Sequence, residues 1–88
     1  MNQENFMEIL VREGFKEVVT VTREPDGSLE MHTHPFEAKA LILRGELQLQ
    51  AGDEDRCYRV GQVFHLLAGV RHSEQYGPEG VTYLVGRR

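Results

Sequence analysis

Cysteine is all but missing: Cys57 stands alone in 88 residues, so the chain can form no internal disulfide and holds no CxxC site. Between Arg56 and Tyr58, in a strand-like stretch, it reads as an ordinary strand residue, because nothing beside it in sequence lowers a thiol pKa. Long apolar runs are lacking too. None approaches the roughly 20 residues that cross a bilayer as a helix. The opening "MNQENFMEIL" has no basic region followed by an apolar one, so the expected location is cytoplasmic, with no membrane partner. Positive charge is in deficit. The net charge of -4 is dispersed along the chain, which argues against nucleic acid as a partner. The closing pair Arg87 and Arg88 is too short to form a basic arm. No linker, low-complexity segment or sequence repeat divides the chain.

What is present fits an ordinary globular domain, with 40% hydrophobic and 27% charged residues. A single domain is expected over residues 1–88, with a helix at about 3–13 and a barrel at about 16–87. That size lies near the lower limit for folding without disulfides or a metal. A bound metal or a second subunit would help so small a core, and a homodimer is the expected state.

Phe6, Ile9 and Leu10 form a short apolar stripe at helical spacing, and Glu13 continues the period. Gly14 follows as a left-handed cap, with Phe15 placed for the hydrophobic contact that accompanies it. The period then changes. "EVVTVTRE" is rich in β-branched residues and ends at the turn Pro25-Asp26-Gly27. "SLEMHTH" can run extended up to Pro35. "KALILRGELQLQ" alternates, Leu47 and Leu49 against Gln48 and Gln50, with Gly45 as an interruption. "AGDED" reads as a hairpin turn, "RCYRV" and "QVFHLL" as strands, Gly77-Pro78-Glu79-Gly80 as a turn, and "VTYLV" as the last strand. Short strands at regular spacing with glycine-rich turns predict an all-β sandwich or barrel.

His32 and His34 lie two apart, so in a regular strand both imidazoles project from one face. Two such rings chelate a transition metal well, although the pair alone also occurs by chance. Downstream, Gly45, Gly61, Leu67-x-Gly69, His72 and Tyr76 follow at set intervals from Gly27 and His32-x-His34. Residues 27–76 thereby resemble the paired motifs of the cupin superfamily, small β-barrels of jelly-roll type. The text from "HTHPFEAKALILRGE" to "HSEQYGPEGVTYLVGRR" is similar to a group of small bacterial single-domain cupins without a well-defined activity.

The resemblance implies that His32, His34 and His72 hold a divalent transition metal: iron, nickel, manganese or zinc. It also implies a glutamate ligand four residues after the second histidine, where this chain has Ala38. Glu37 is adjacent, but one residue of offset turns a strand side chain to the opposite face unless a bulge intervenes. The expected site is therefore three histidines with positions left open, which suits binding or catalysis. Leu67 replaces the second motif's proline, and Tyr76 stands where asparagine is frequent. Glu30 shares parity with His32 and His34 and is a candidate to orient an imidazole, the alternative being a solvated strand end. His65, in "QVFHLL", is a candidate pocket residue or a satisfied core histidine. Tyr76 and Tyr83 are candidates for the barrel mouth or for core packing. The expected function is binding or transforming a small polar molecule at the metal. If the chain is an enzyme, the resemblance implies a metal-dependent dioxygenase or isomerase. A non-catalytic sensor module and a purely structural metal are the alternatives.

Overall fold

The computed structural model describes residues 1–88, and its elements follow the order helix, then six strands. The helix α1 spans Gln3–Arg12. The Asn2 side chain accepts from the Asn5 N–H at its start, which satisfies one of the free donors of the first turn. Gly14 ends it with φ +83, and the Phe15 N–H donates to the Leu10 carbonyl, closing the cap expected from the sequence. Phe6, Leu10 and Phe15 are buried against Leu41 and Leu84, so α1 seals one outer face of the sheet. Gly86 lies beneath this helix, where a Cβ would stand 2.8 Å from Leu10.

The strands are β1 (Glu17–Arg23), β2 (Ser28–His32), β3 (Ala38–Ala51), β4 (Glu54–Arg59), β5 (Val63–Leu66) and β6 (His72–Arg87). All pair antiparallel, and two long strands organise the rest. The first half of β3 lies between β5 and the end of β6, beyond which β1 pairs. The second half of β3 lies between β4 and the start of β6, beyond which β2 pairs. The sheet therefore folds over along the β3–β6 ladder into two four-stranded halves that face each other. It is an all-β, small cupin-type barrel with one short helix.

One element departs from expectation. Gly77-Pro78-Glu79-Gly80 was expected to reverse the chain, yet "HSEQY" and "VTYLV" join into the single 16-residue strand β6. The four residues bend the strand without turning it. Opposite them β3 bends at Gly45, with register shifts between Ile42 and Arg44 and between Gly45 and Leu47. Gly45 (φ +71) and Gly80 (φ +74) both need the left-handed region, and a Cβ on Gly45 would drive into the Gly80 carbonyl. The bends shift the inward parity of both strands. In β3 the inner cluster takes Ala38, Ala40 and Ile42 before the bend and Leu47 and Leu49 after it. In β6 the buried residues His72, Glu74 and Tyr76 give way to Val81, Tyr83 and Val85. A twelve-residue apolar cluster fills the space between the halves, and the polar site occupies one end of it.

Candidate metal site inside the barrel

His72 opens β6 and pairs in register with His32, the last residue of β2, so the two rings meet across one ladder with centroids 4.2 Å apart. His34 lies just past β2, and the Gly69 N–H donates to its carbonyl, tying that connection to the turn before β6. Its ring stacks on Phe36 at 4.7 Å and 12°. The Arg87 guanidinium covers the same phenyl ring, 5.1 Å from its centroid. One ligand atom from each of the three histidines lies within 4.8 Å of the others, so the structure brings together all three residues singled out in the sequence.

The hydrogen bonds define which nitrogens are free. His32 Nδ1–H donates to the Glu30 carbonyl at 2.6 Å, and His72 Nδ1–H donates to the Val70 carbonyl at 3.0 Å. A carbonyl oxygen only accepts, so in the neutral ring both protons sit on Nδ1 and both Nε2 atoms keep a lone pair. Those Nε2 atoms are buried and have no hydrogen-bond partner. A buried polar atom without a partner costs about 1–3 kcal/mol. Burial, then the neighbouring His72 and His32, holds the His34 imidazole below its usual pKa, favouring the neutral form that ligates. Unpartnered, inward-facing imidazole nitrogens, on rings held by backbone carbonyls at the other nitrogen, are the donor set that a divalent transition metal takes.

A bulge in β2 makes this possible. Leu29 pairs with Glu74 and His32 pairs with His72, so Glu30 and Met31 together span the space opposite Ser73 alone. Leu29 and His32 therefore both face inward although they are three residues apart. The same slip turns the Glu30 side chain out to solvent, against the parity of a regular strand. Glu30 orients His32 through its backbone carbonyl and not through its carboxylate.

Glu37 and His65 are together, but outside the barrel. His65 Nε2–H donates to Glu37 Oε2 at 2.5 Å, and Arg88 Nε–H donates to Glu37 Oε1 at 2.7 Å. The Arg88 hydrogen bond, then that of His65, holds the Glu37 carboxyl below its usual pKa. No bulge re-aims Glu37, and Ala38 is the inward residue that lines the cavity beside the histidines. Tyr83 also lines that cavity, and burial, followed by the Glu74 charge, pushes its phenol up to about 12. Tyr76 is buried and donates to Glu74 Oε1 at 3.3 Å. Cys57 donates to Glu46 Oε2, which raises its thiol pKa and leaves it an unreactive strand residue.

Glu74 is the residue that the sequence reading missed. It is only 8% exposed, and its Oε2 lies 3.6 Å from His72 Nε2 and 3.8 Å from His32 Nε2. The available signal was parity within "HSEQY", where positions 72, 74 and 76 share one face of a strand. The stretch carries no β-branched or apolar alternation to mark it as a strand, so its parity has no local signature.

No family model and no curated protein matches the chain by sequence. Solved structures do match it in fold. A variant of oxalate decarboxylase from Bacillus subtilis superposes at TM-score 0.72 with 23% identity, over 80% of this chain and 20% of that one. A second structure of the same enzyme concerns its Mn(II) centres. An RmlC-like cupin from Shewanella frigidimarina matches at 0.69 with 14% identity, over 80% and 63%. The cupin domain of Cnp3 from Schizosaccharomyces pombe matches at 0.72 with 15% identity, over 80% and 50%. The chain thus spans less than two thirds of the length of each. With its bent β3–β6 ladder and its interior histidines, this protein has the cupin fold.

Proposed function

We propose that the protein binds one divalent transition metal through His32, His34 and His72 and uses it to bind or transform a small polar molecule. The observation that carries this reading is the pair of buried Nε2 lone pairs, unpartnered because their Nδ1 protons are committed to backbone carbonyls. Similar folds serve a manganese enzyme, oxalate decarboxylase, and the Cnp3 cupin domain, so the fold alone does not separate catalysis from binding. The metal would supply Lewis acidity to a bound oxygen or carbonyl group. The chain's own residues shape what reaches it. Phe36, Phe64 and Leu66 wall the cavity with apolar surface, while Arg23 and Tyr83 add hydrogen-bond donors to its lining.

Size narrows the ligand. The cavity is about 70 Å³, room for about five waters on the scale of one per 10–15 Å³, well below the 300–1,000 Å³ of drug-sized pockets. A molecule of a few non-hydrogen atoms fits without rearrangement. Elemental analysis of protein purified without chelators is expected to find about one divalent metal per chain, with loss of most of it in His32→Ala and His72→Ala. Removing a supporting residue alone costs 10–100-fold in affinity, so removing a ligand is expected to cost about 100-fold or more. A parent that neither carries nor takes up iron, nickel, manganese or zinc sinks the reading. Oxygen uptake or product formation by the loaded protein separates an enzyme from a sensor module. A small domain of this kind is also proposed to be a homodimer, and a monomeric mass in light scattering at micromolar concentration overturns that.

A further inference from the structure

The acid that Ala38 fails to provide has a replacement on another strand. We propose that Glu74 is the carboxylate ligand of this site, reaching the metal from β6 in place of a glutamate on β3. The inference rests on the reading that the three histidines hold a metal, and it deepens that reading.

Three observations converge on it. First, Glu74 is buried, and its charge is unpaired by any lysine or arginine within ion-pair distance. A buried carboxylate is retained where something positive compensates it, since isolated burial of a charge costs several kcal/mol. Second, its two oxygens are differentiated. Oε1 accepts from the Tyr76 hydroxyl, while Oε2 faces His72 Nε2 at 3.6 Å and His32 Nε2 at 3.8 Å. With both Nδ1 protons given to carbonyls, three acceptor atoms point at one another with no donor among them.

Third, the geometry places one Glu74 oxygen beside both free imidazole nitrogens, at 3.6 Å from His72 Nε2 and 3.8 Å from His32 Nε2. Two atoms sharing a metal at about 2.0–2.2 Å stand about 3.0 Å apart at right angles and about 3.4 Å apart in a tetrahedron. Separations of 3.6 and 3.8 Å are within about 0.4 Å of the tetrahedral value, so small side-chain movements bring Glu74 Oε2 and both nitrogens onto one ion. Tyr76 then acts as the positioning residue that aims the carboxylate. Ala38 and Glu74 line the same cavity, so an acid on β6 reaches the space that an acid on β3 would have faced.

The test uses the full chain, stripped of metal by a chelator and titrated with Mn(II) as the probe. Affinity and the electron paramagnetic resonance spectrum of the bound ion are read for the parent, Glu74→Gln, His72→Ala and Glu37→Gln. The expected result is a loss of about 100-fold or more in Mn(II) affinity in Glu74→Gln, with a changed spectrum for any ion retained. Glu37→Gln is expected to match the parent. If Glu74→Gln binds Mn(II) as the parent does, with the same spectrum, while His72→Ala loses it, the inference falls and the three-histidine reading stands. If the parent takes up no metal, both fall together. Should Glu74→Gln fail to fold, anomalous diffraction from parent crystals grown with Mn(II) decides the matter directly. An ion bonded to the three imidazoles and a Glu74 oxygen upholds the proposal. One bonded to the imidazoles and water only overturns it.

Discussion

At the scale of single residues, the geometry of the candidate site depends on what two of its histidines do with their second nitrogen. His32 and His72 spend Nδ1–H on the carbonyls of Glu30 and Val70, each two residues earlier in the chain. This fixes the tautomer and the ring direction with backbone groups that no side-chain substitution removes. Glu30→Gln is therefore expected to leave metal affinity within about twofold of the parent in a titration, because the carbonyl stays in place; a tenfold loss would return a role to the carboxylate. The pair His32 and His34 was legible in sequence because same-face projection depends on two neighbouring positions. Glu74 was not, because its meaning depends on the partners it meets across two ladders.

At the scale of elements, the closing segment of the chain matters more than its length implies. Arg88 donates to both oxygens of Glu37 and lies 4.4 Å from the centroid of Phe15, clamping the end of β6 to the start of β3 and to α1. Backbone bonds run both ways between Glu37 and Arg88. Hydrogen bonds from Arg88 and then His65 depress the Glu37 pKa from its usual 4.5, so the folded state favours the carboxylate. A depressed folded value contributes stability above the unfolded pKa, and that contribution is lost as pH falls through the folded value. The difference in urea midpoint between the parent and Glu37→Gln is expected to be largest at neutral pH and to shrink on acidification below about 4.5. A gap that widens in acid would contradict the clamp. The bends in β3 and β6 belong to this scale too. Gly45 and Gly80 were visible as interruptions, but whether the chain turns or only bends there depends on the register of a strand 35 residues away.

At the scale of the whole molecule, a polar site is set into one end of a small apolar core. The inner cluster and the helix cluster supply the burial, while His72 and Glu74 are the buried polar side chains at the site. A metal that binds only the folded state shifts the folding equilibrium toward it. At a free metal concentration of 100 times Kd the gain is about 2.7 kcal/mol. For a domain of this size that raises the melting temperature by about 10–20 °C. Thermal melts of chelated and reloaded protein measure this, and no shift at saturating metal would show that the ion is not held by the folded barrel. The one helix, α1, is not long and apolar enough to cross a membrane.

The sequence by itself determined what local pattern can carry: a short capped helix, β-branched strands broken by glycine, a histidine pair projecting to one side, a third histidine at motif distance, and an alanine where an acid was expected. The tertiary structure decided the rest. It joined the last two segments into one bent strand, placed a bulge at Glu30 and Met31 that swings His32 inward, sent Glu37 outside to Arg88 and His65, and set Glu74 against two imidazoles. The physical reason is that side-chain parity is a local property only while a strand stays regular. A single extra residue reverses it, and where that residue falls is settled by pairing between strands far apart in the chain.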